Sequence, residues 1–405
     1  MDGLAVDTGG GSPIRRDVSL HIMGSGGVLF DGHSQRLYGA NTMATFIWCH
    51  LEEGLASAVI EERVRDVFGI AAEEAAAHVA LSLQQWRELG LLAHQPIPAP
   101  VADSGSGLQK VRRQPSSAAA PARQRRAVAS RVYRLLDTSF RLSFGSTRLL
   151  AECEPVLTPI LDPKGKPQEE LRLVATRERI ALCHNGVTID DAPDLDGVVP
   201  MLKAALVLFG LDRSDDFAAI HSAALAQGNY CFLIPGESGR GKSTLSAALV
   251  AAGFTLLGDD TIVLARDTLE ARAVPFSVCL KEGSWPLLAS RFPRLARRPV
   301  HHRSDGKKVR YLAPSRPGGW ARPDFRAPIN AVVMLDRGAG KTPGVRELDP
   351  VEAFPRFLQD FYPLRGGLDS AKVGQLVQWM ARRQCIEVRY DTLDEGVALM
   401  TELCS

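Results

Sequence analysis

The 405-residue sequence has little of what would mark a secreted, membrane-bound or nucleic-acid-binding protein. Its seven cysteines (Cys49, Cys153, Cys183, Cys231, Cys279, Cys385 and Cys404) are scattered, with no C-x-x-C and no metal-ligand spacing. Most stand in apolar runs, as small core residues do in a reducing compartment, and this argues against structural zinc. No apolar run is long enough to span a bilayer, and no basic-then-apolar start reads as a signal peptide. A cytoplasmic protein with no membrane contact is therefore expected. The formal net charge is only +2, too small to argue for a nucleic-acid partner. The apolar fraction of 45% is ordinary for a folded chain, and the length suggests two or three domains.

Against this plain background one stretch stands out, Gly236-Glu237-Ser238-Gly239-Arg240-Gly241-Lys242-Ser243-Thr244. It reads G-x-x-x-x-G-K-S, the full phosphate-loop pattern. A strand-like run, Tyr230 to Ile234, precedes it, and an alanine- and leucine-rich helical run, Leu245 to Ala252, follows. The order strand, glycine loop, helix start is the one phosphate binding needs. Glycines let several backbone N–H groups curl toward one phosphate, and the helix N-terminus adds partial positive charge. The whole stretch from Gly236 to Thr244 is expected to hold ATP. Lys242 is placed to reach the β- and γ-phosphates, and the Ser243 hydroxyl to bind Mg²⁺.

Before the loop, residues 14–38 show short strand-like pieces, and three helical runs follow. Asn41 can cap the first, with Met43, Phe46, Ile47 and Leu51 on one face. The second, from about Ala56 to Phe68, has Val59, Ile60, Val64 and Val67 as its stripe. The third runs from about Glu73 to Leu89 and is stopped by Gly90. Three strands and three helices resemble a winged helix-turn-helix. The third helix, however, offers no arginine or lysine from Glu73 to Trp86, and a recognition helix needs cations for phosphates. Leu37 and Asn41 leading into Phe46-Ile47-Trp48, then Leu51-Glu52-Glu53-Gly54 and Trp86-Arg87-Glu88-Leu89-Gly90-Leu91-Leu92, resemble instead the PqqD-like domains. Those domains capture leader peptides during ribosomal peptide modification. The resemblance implies a peptide-binding domain at 14–94; a domain that docks only on the rest of the chain is the alternative. Residues 95–131 read as a flexible linker rich in Pro, Ala and Ser. It cannot bury enough apolar surface to offset its ordering entropy, and basic residues without an acid run through it from Lys110 to Arg134.

From residue 132 to 405 the chain alternates strand-like and helical runs, as in an α/β fold. Beyond the loop helix, an apolar strand from Gly253 to Leu257 enters Gly258-Asp259-Asp260. Two adjacent carboxylates there can hold a metal and accept a proton from an incoming hydroxyl. His221 precedes the loop on a strand expected to form a hairpin with Tyr230–Ile234. By pattern alone it serves either the core or the aspartates.

His221, the loop, and Gly253-Phe254-Thr255-Leu256-Leu257-Gly258-Asp259-Asp260 resemble the catalytic domain of HPr kinase/phosphorylase, and more closely its relatives, the HPr-kinase-related kinases. The fold implied for 132–405 is the phosphate-loop fold of the HPr kinase/PEP carboxykinase type. The activity implied is phosphorylation of a serine hydroxyl with ATP and Mg²⁺. The resemblance makes Asp259 the proton acceptor with His221 beside it, and leaves Asp260 with Ser243 for the metal. It also admits a homo-oligomer. Two departures matter. The Glu-x-Arg-Gly signature linked to phosphorolysis is approached only by Glu270-Ala271-Arg272-Ala273, which lacks the glycine and comes too soon. A PqqD-like unit also stands where the usual N-terminal domain would be, which makes HPr an unexpected substrate. The favoured substrate is a hydroxyl of a ribosomally made precursor peptide. The alternatives are a folded protein, a small metabolite, or a nucleotide-gated peptide-binding module without transfer. A basic stretch, 294–310, is read either as a loop that closes over phosphates or as a solvated one, and Lys281 is a weaker candidate of the same kind.

Overall fold

The computed structural model describes residues 13–93, 127–176, 179–236, 239–313, 318–340, 342–359 and 361–404. Most of the expected linker lies outside them, as do Glu237 and Ser238 of the glycine loop. The described residues form a mixed α/β structure with five sheets. They divide into two compact units, each assembled from separated stretches of chain.

The described residues of the first unit fall within Met1–Ser104, Leu348–Leu358 and Gly367–Arg383. Its antiparallel sheet has the order Val18–Met23, Gly26–Asp31, Arg36–Ala40. Three helices follow, Thr42–Glu52, Ser57–Phe68 and Ala72–Glu88. Asn41 caps the first, accepting from the Ala44 N–H at 2.8 Å. Trp48 and Trp86 meet edge to face, 4.8 Å between centroids, in a core with Ile47, Leu51, Ile60, Val64, Val79 and Leu83. Val59 and Val67, expected on the inner stripe, are exposed. Val59 lies about 100° round the helix from Ile60, and Val67 occupies the last turn before Gly69.

Two helices from far along the chain, Pro350–Leu358 and Ser370–Ala381, belong to this same unit. They pack on its sheet and bury Phe354, Phe357, Val373 and Leu376. The Leu368 N–H donates to Gln35 Oε1 at 2.7 Å, and Ser370 Oγ lies 3.4 Å from His21 Nε2. With helices packed on it in this way, the middle strand Gly26–Asp31 is buried at every position. The single domain expected from 132 onward is thus interrupted by two stretches that belong to the first unit. The helix Pro350–Leu358 stops short of Phe361–Pro363, which is a strand of the second unit.

In the second unit a six-stranded mixed sheet runs Thr255–Gly258, Ser222–Gln227, Tyr230–Pro235, Ala331–Arg337, Gln384–Tyr390, Gly344–Glu347. Tyr230–Pro235, Ala331–Arg337 and Gln384–Tyr390 are parallel neighbours, and the helix Lys242–Ala251 packs among them with the terminal helix Leu393–Leu403. A five-stranded antiparallel sheet runs Arg326–Ala327, Ala271–Arg272, Ile262–Leu264, Ala218–Ile220, Phe361–Pro363. Another five-stranded sheet spans Ala129–Leu135 to Val187–Ala192 and shares a core with the helices Thr147–Leu157 and Leu195–Leu211. A small sheet orders Val278–Lys281, Lys308–Leu312 and His301–His302.

Candidate active site

The glycine loop joins the strand Tyr230–Pro235 to the helix Lys242–Ala251, as the sequence order requires. Gly236, Gly239 and Gly241 take φ values of 124°, 107° and 91°, which side chains with a Cβ resist. These residues can therefore be glycine for a backbone reason as well as for close approach of a phosphate. Lys242 is buried, and its ammonium donates to the Gly236 carbonyl oxygen across the loop. The cleft beside the loop has a volume of about 380 Å³, and its lining includes Gly239, Gly241, Lys242, Ser243 and Thr244 together with His221, Asp259 and Asp260. Thr244 is buried, with its hydroxyl 2.7 Å from Ser284 Oγ. Arg240 is exposed and does not line the cleft.

His221 and the aspartates meet because two chain segments cross between sheets side by side. One passes from Ala218–Ile220 in the five-stranded sheet to Ser222–Gln227 in the six-stranded sheet, and His221 is the residue between. The other passes from Thr255–Gly258 to Ile262–Leu264, with Asp259, Asp260 and Thr261 between. Ala224 pairs with Gly258 on one side of the crossing and Ile220 with Ile262 on the other, so the unpaired residues are brought opposite each other. A Cβ on Gly258 would come 2.7 Å from the Thr261 carbonyl oxygen, so this turn tolerates only glycine. The single strand expected around His221 is thus split in two, and the split delivers the histidine to the cleft.

The pairing differs from expectation. His221 Nδ1–H donates to the Asp260 carbonyl oxygen at 2.7 Å, and the same nitrogen lies 3.3 Å from Asp260 Oδ1. Asp260, not Asp259, is the carboxylate beside the histidine. Asp259 is 3% exposed and faces the other way. Its Oδ2 accepts from the Cys279 N–H at 3.0 Å, and its Oδ1 lies 3.4 Å from Lys203 Nζ. Lys203 also approaches Asp260 Oδ2 at 3.7 Å. It comes from the Leu195–Leu211 helix and was missed in the sequence, where the only signal was one charge inside a run of apolar residues.

The electrostatics follow from this packing. Burial disfavours the charge on Lys203, but the two carboxylates outweigh it and hold the ammonium protonated. Burial pushes Asp259 up against the pull of Lys203, and the charge of Asp260 adds to the push. Burial acts on Asp260 too, but Lys203, His221, Arg303 and Lys242 outweigh it and hold that carboxyl below the usual range. The Cys279 thiol is pushed up by burial, which makes it a core residue rather than a reactive thiolate.

Three further cations line the cleft: Lys281, Arg303 and Arg337. Arg337 ends the strand parallel to Tyr230–Pro235, beside Gly241. Arg303 belongs to the stretch read as a mobile basic loop. That stretch is folded, with His301–His302 pairing to Lys308–Val309 and Arg303 in the turn between them. Burial, then the neighbouring charges of Lys307 and Arg303, lowers Lys281. Arg272 of the Glu270-Ala271-Arg272-Ala273 approximation is a buried structural residue. Its guanidinium donates twice to Asp137 at 2.8 Å and also to Asp216.

Residues 26–92 match the family of the coenzyme PQQ synthesis protein D, PqqD. Among solved structures, the chain is similar to the Hpr(Ser) kinase/phosphatase from Coxiella burnetii. The identity is 14% and the TM-score 0.22, over 46% of this chain and 96% of that one. At that TM-score the functional reading rests on the residues described above. No curated protein matches the chain. Among the described residues no helix is long and apolar enough to cross a membrane.

Proposed function

We propose that the second unit is an ATP- and Mg²⁺-dependent kinase, which transfers the γ-phosphate to a serine or threonine hydroxyl of a ribosomally made precursor peptide. The first unit is the peptide reader. The observation that carries the catalytic part is the glycine loop and its lysine lining one cleft together with two adjacent carboxylates and a histidine. Phosphoryl transfer asks a protein mainly for positioning and charge stabilisation, and these residues provide both.

The N–H groups of the loop and of the helix start at Lys242 bind the phosphates, with the Lys242 ammonium turned from the Gly236 carbonyl to the nucleotide. The Ser243 hydroxyl and the Asp260 carboxylate are hard oxygen donors that line the same cleft and suit Mg²⁺. A metal held there would neutralise negative charge on the phosphates. Asp260 is the half-exposed carboxylate, and His221 fixes its backbone and side chain together. Asp259 accepts the hydroxyl proton as the new O–P bond forms and the bond to the departing ADP breaks. A carboxylate has acceptor sites to spare beyond the Cys279 N–H and Lys203. Lys281, Arg303 and Arg337 supply cations around the transferring group.

The peptide part rests on the PqqD match over residues 26–92. An extended peptide can add to a sheet edge through main-chain hydrogen bonds. The test is intact-mass measurement of short peptides encoded beside this gene after incubation with Mg·ATP. A gain of one phosphate group supports the reading; ATP consumption with no mass change in any peptide rejects the peptide substrate.

A further inference from the structure

Lys203 stands inside an apolar stretch, Val198-Val199-Pro200-Met201-Leu202-Lys203-Ala204-Ala205-Leu206-Val207, with no other charge in it. It is 7% exposed. An ammonium at such a place persists when it is paired, and this one faces two carboxylates, Asp259 Oδ1 at 3.4 Å and Asp260 Oδ2 at 3.7 Å. The carboxylates in turn sit on consecutive residues and repel each other unless a cation lies between them.

We propose that Lys203 is a positioning residue of the phosphotransfer site. It is the fixed counter-cation that holds Asp259 and Asp260 side by side and keeps a divalent cation from lodging between them before nucleotide arrives. This rests on the kinase reading above. With Lys203 against one oxygen of each aspartate and the Cys279 N–H on the other oxygen of Asp259, the oxygen left over is Asp260 Oδ1. That oxygen lies beside His221. One site for a metal then remains, and it is completed only when the nucleotide brings its phosphates. The ammonium reaches the aspartates from a helix outside the phosphate loop, so nucleotide binding does not depend on it.

The test uses the full chain as Lys203→Met, Lys203→Arg and the double variant Lys203→Met/Asp259→Asn, with Lys242→Ala as a control. ADP formation from Mg·ATP should fall about 100-fold in Lys203→Met through misplacement of the pair, with recovery in Lys203→Arg. Binding of a fluorescent ATP analogue without Mg²⁺ should stay within about threefold of wild type, since the loop is untouched. Mn²⁺ titrated onto the protein alone should bind about tenfold tighter or more in Lys203→Met, because a competing positive charge is gone. The melting temperature should drop in Lys203→Met and return in the double variant, where neither partner is left buried alone. Wild-type turnover in Lys203→Met, or unchanged Mn²⁺ affinity there, overturns the proposal. If Lys203→Met does not fold, a double variant that also melts early overturns it. A wild-type chain that binds no ATP rejects the kinase reading instead, and the Mn²⁺ and melting measurements then decide the Lys203 assignment without nucleotide.

Discussion

His221 Nδ1 lies 2.7 Å from the backbone oxygen of Asp260 and 3.3 Å from its carboxylate, while Asp259 turns away to Lys203 and the Cys279 N–H. The two aspartates are neighbours in sequence and occupy different environments. Substituting each alone separates their roles. Asp259→Asn should cost about 10²–10⁴ in turnover with nucleotide binding retained, as removal of a general base does. Asp260→Asn should chiefly raise the Mg²⁺ concentration needed for half-maximal rate. Mg²⁺ titrations of both variants give the answer; if Asp260→Asn abolishes transfer at saturating Mg²⁺ and Asp259→Asn does not, the roles are exchanged.

Lys242→Ala removes a charged donor from the proposed phosphate cradle. Hydrogen bonds to charged groups are worth about 1.5–3 kcal/mol, so ATP affinity should fall about tenfold or more. Turnover should be lost. Calorimetric titration with ATP reads the first and ADP formation the second. Wild-type ATP consumption in this variant would place the active site elsewhere.

Arg272 should matter for stability and not for chemistry. Its hydrogen bonds hold the Asp137 carboxyl below its usual value, against the opposing effect of burial. A carboxyl depressed in the folded state stabilises the fold above its unfolded value and loses that contribution as pH falls through its folded one. Asp137→Asn should therefore melt earlier than wild type at pH 7, and the gap should shrink as pH drops below about 4. Thermal melts across pH 3–7 measure it. A gap independent of pH would mean that the ion pair is not its source.

The first unit cannot be cut away at residue 94 as a free-standing module. Phe354, Phe357, Val373 and Leu376 are buried in helices that pack on its sheet. Deleting residues 1–94 should uncover that apolar face, raise binding of a hydrophobic dye and promote aggregation. A deletion variant that stays monodisperse and dye-silent would show that the two helices stand without the sheet. Peptide recruitment is better probed by a substitution at the exposed Arg36 of the edge strand Arg36–Ala40, read as a change in apparent KM with kcat preserved.

Much of this was local and so legible in the chain. The G-x-x-x-x-G-K-S pattern acts within a few residues, and the structure places that loop between a strand and a helix. Asn41 and Gly90 likewise act over one turn at helix ends, which made the 14–94 helices readable. What only the tertiary structure decided depends on contacts between distant segments. The split of the His221 strand arises where two sheets diverge, and no period in the sequence registers that. The choice of Asp260 over Asp259 as the neighbour of His221 follows from that crossing. Lys203, 56 positions before Asp259, owes its role to a helix that packs against the crossing. The assignment of 350–358 and 370–381 to the first unit needs knowledge of which apolar face meets which sheet. An amphipathic pattern states that a face will be buried, and it leaves the partner to the fold.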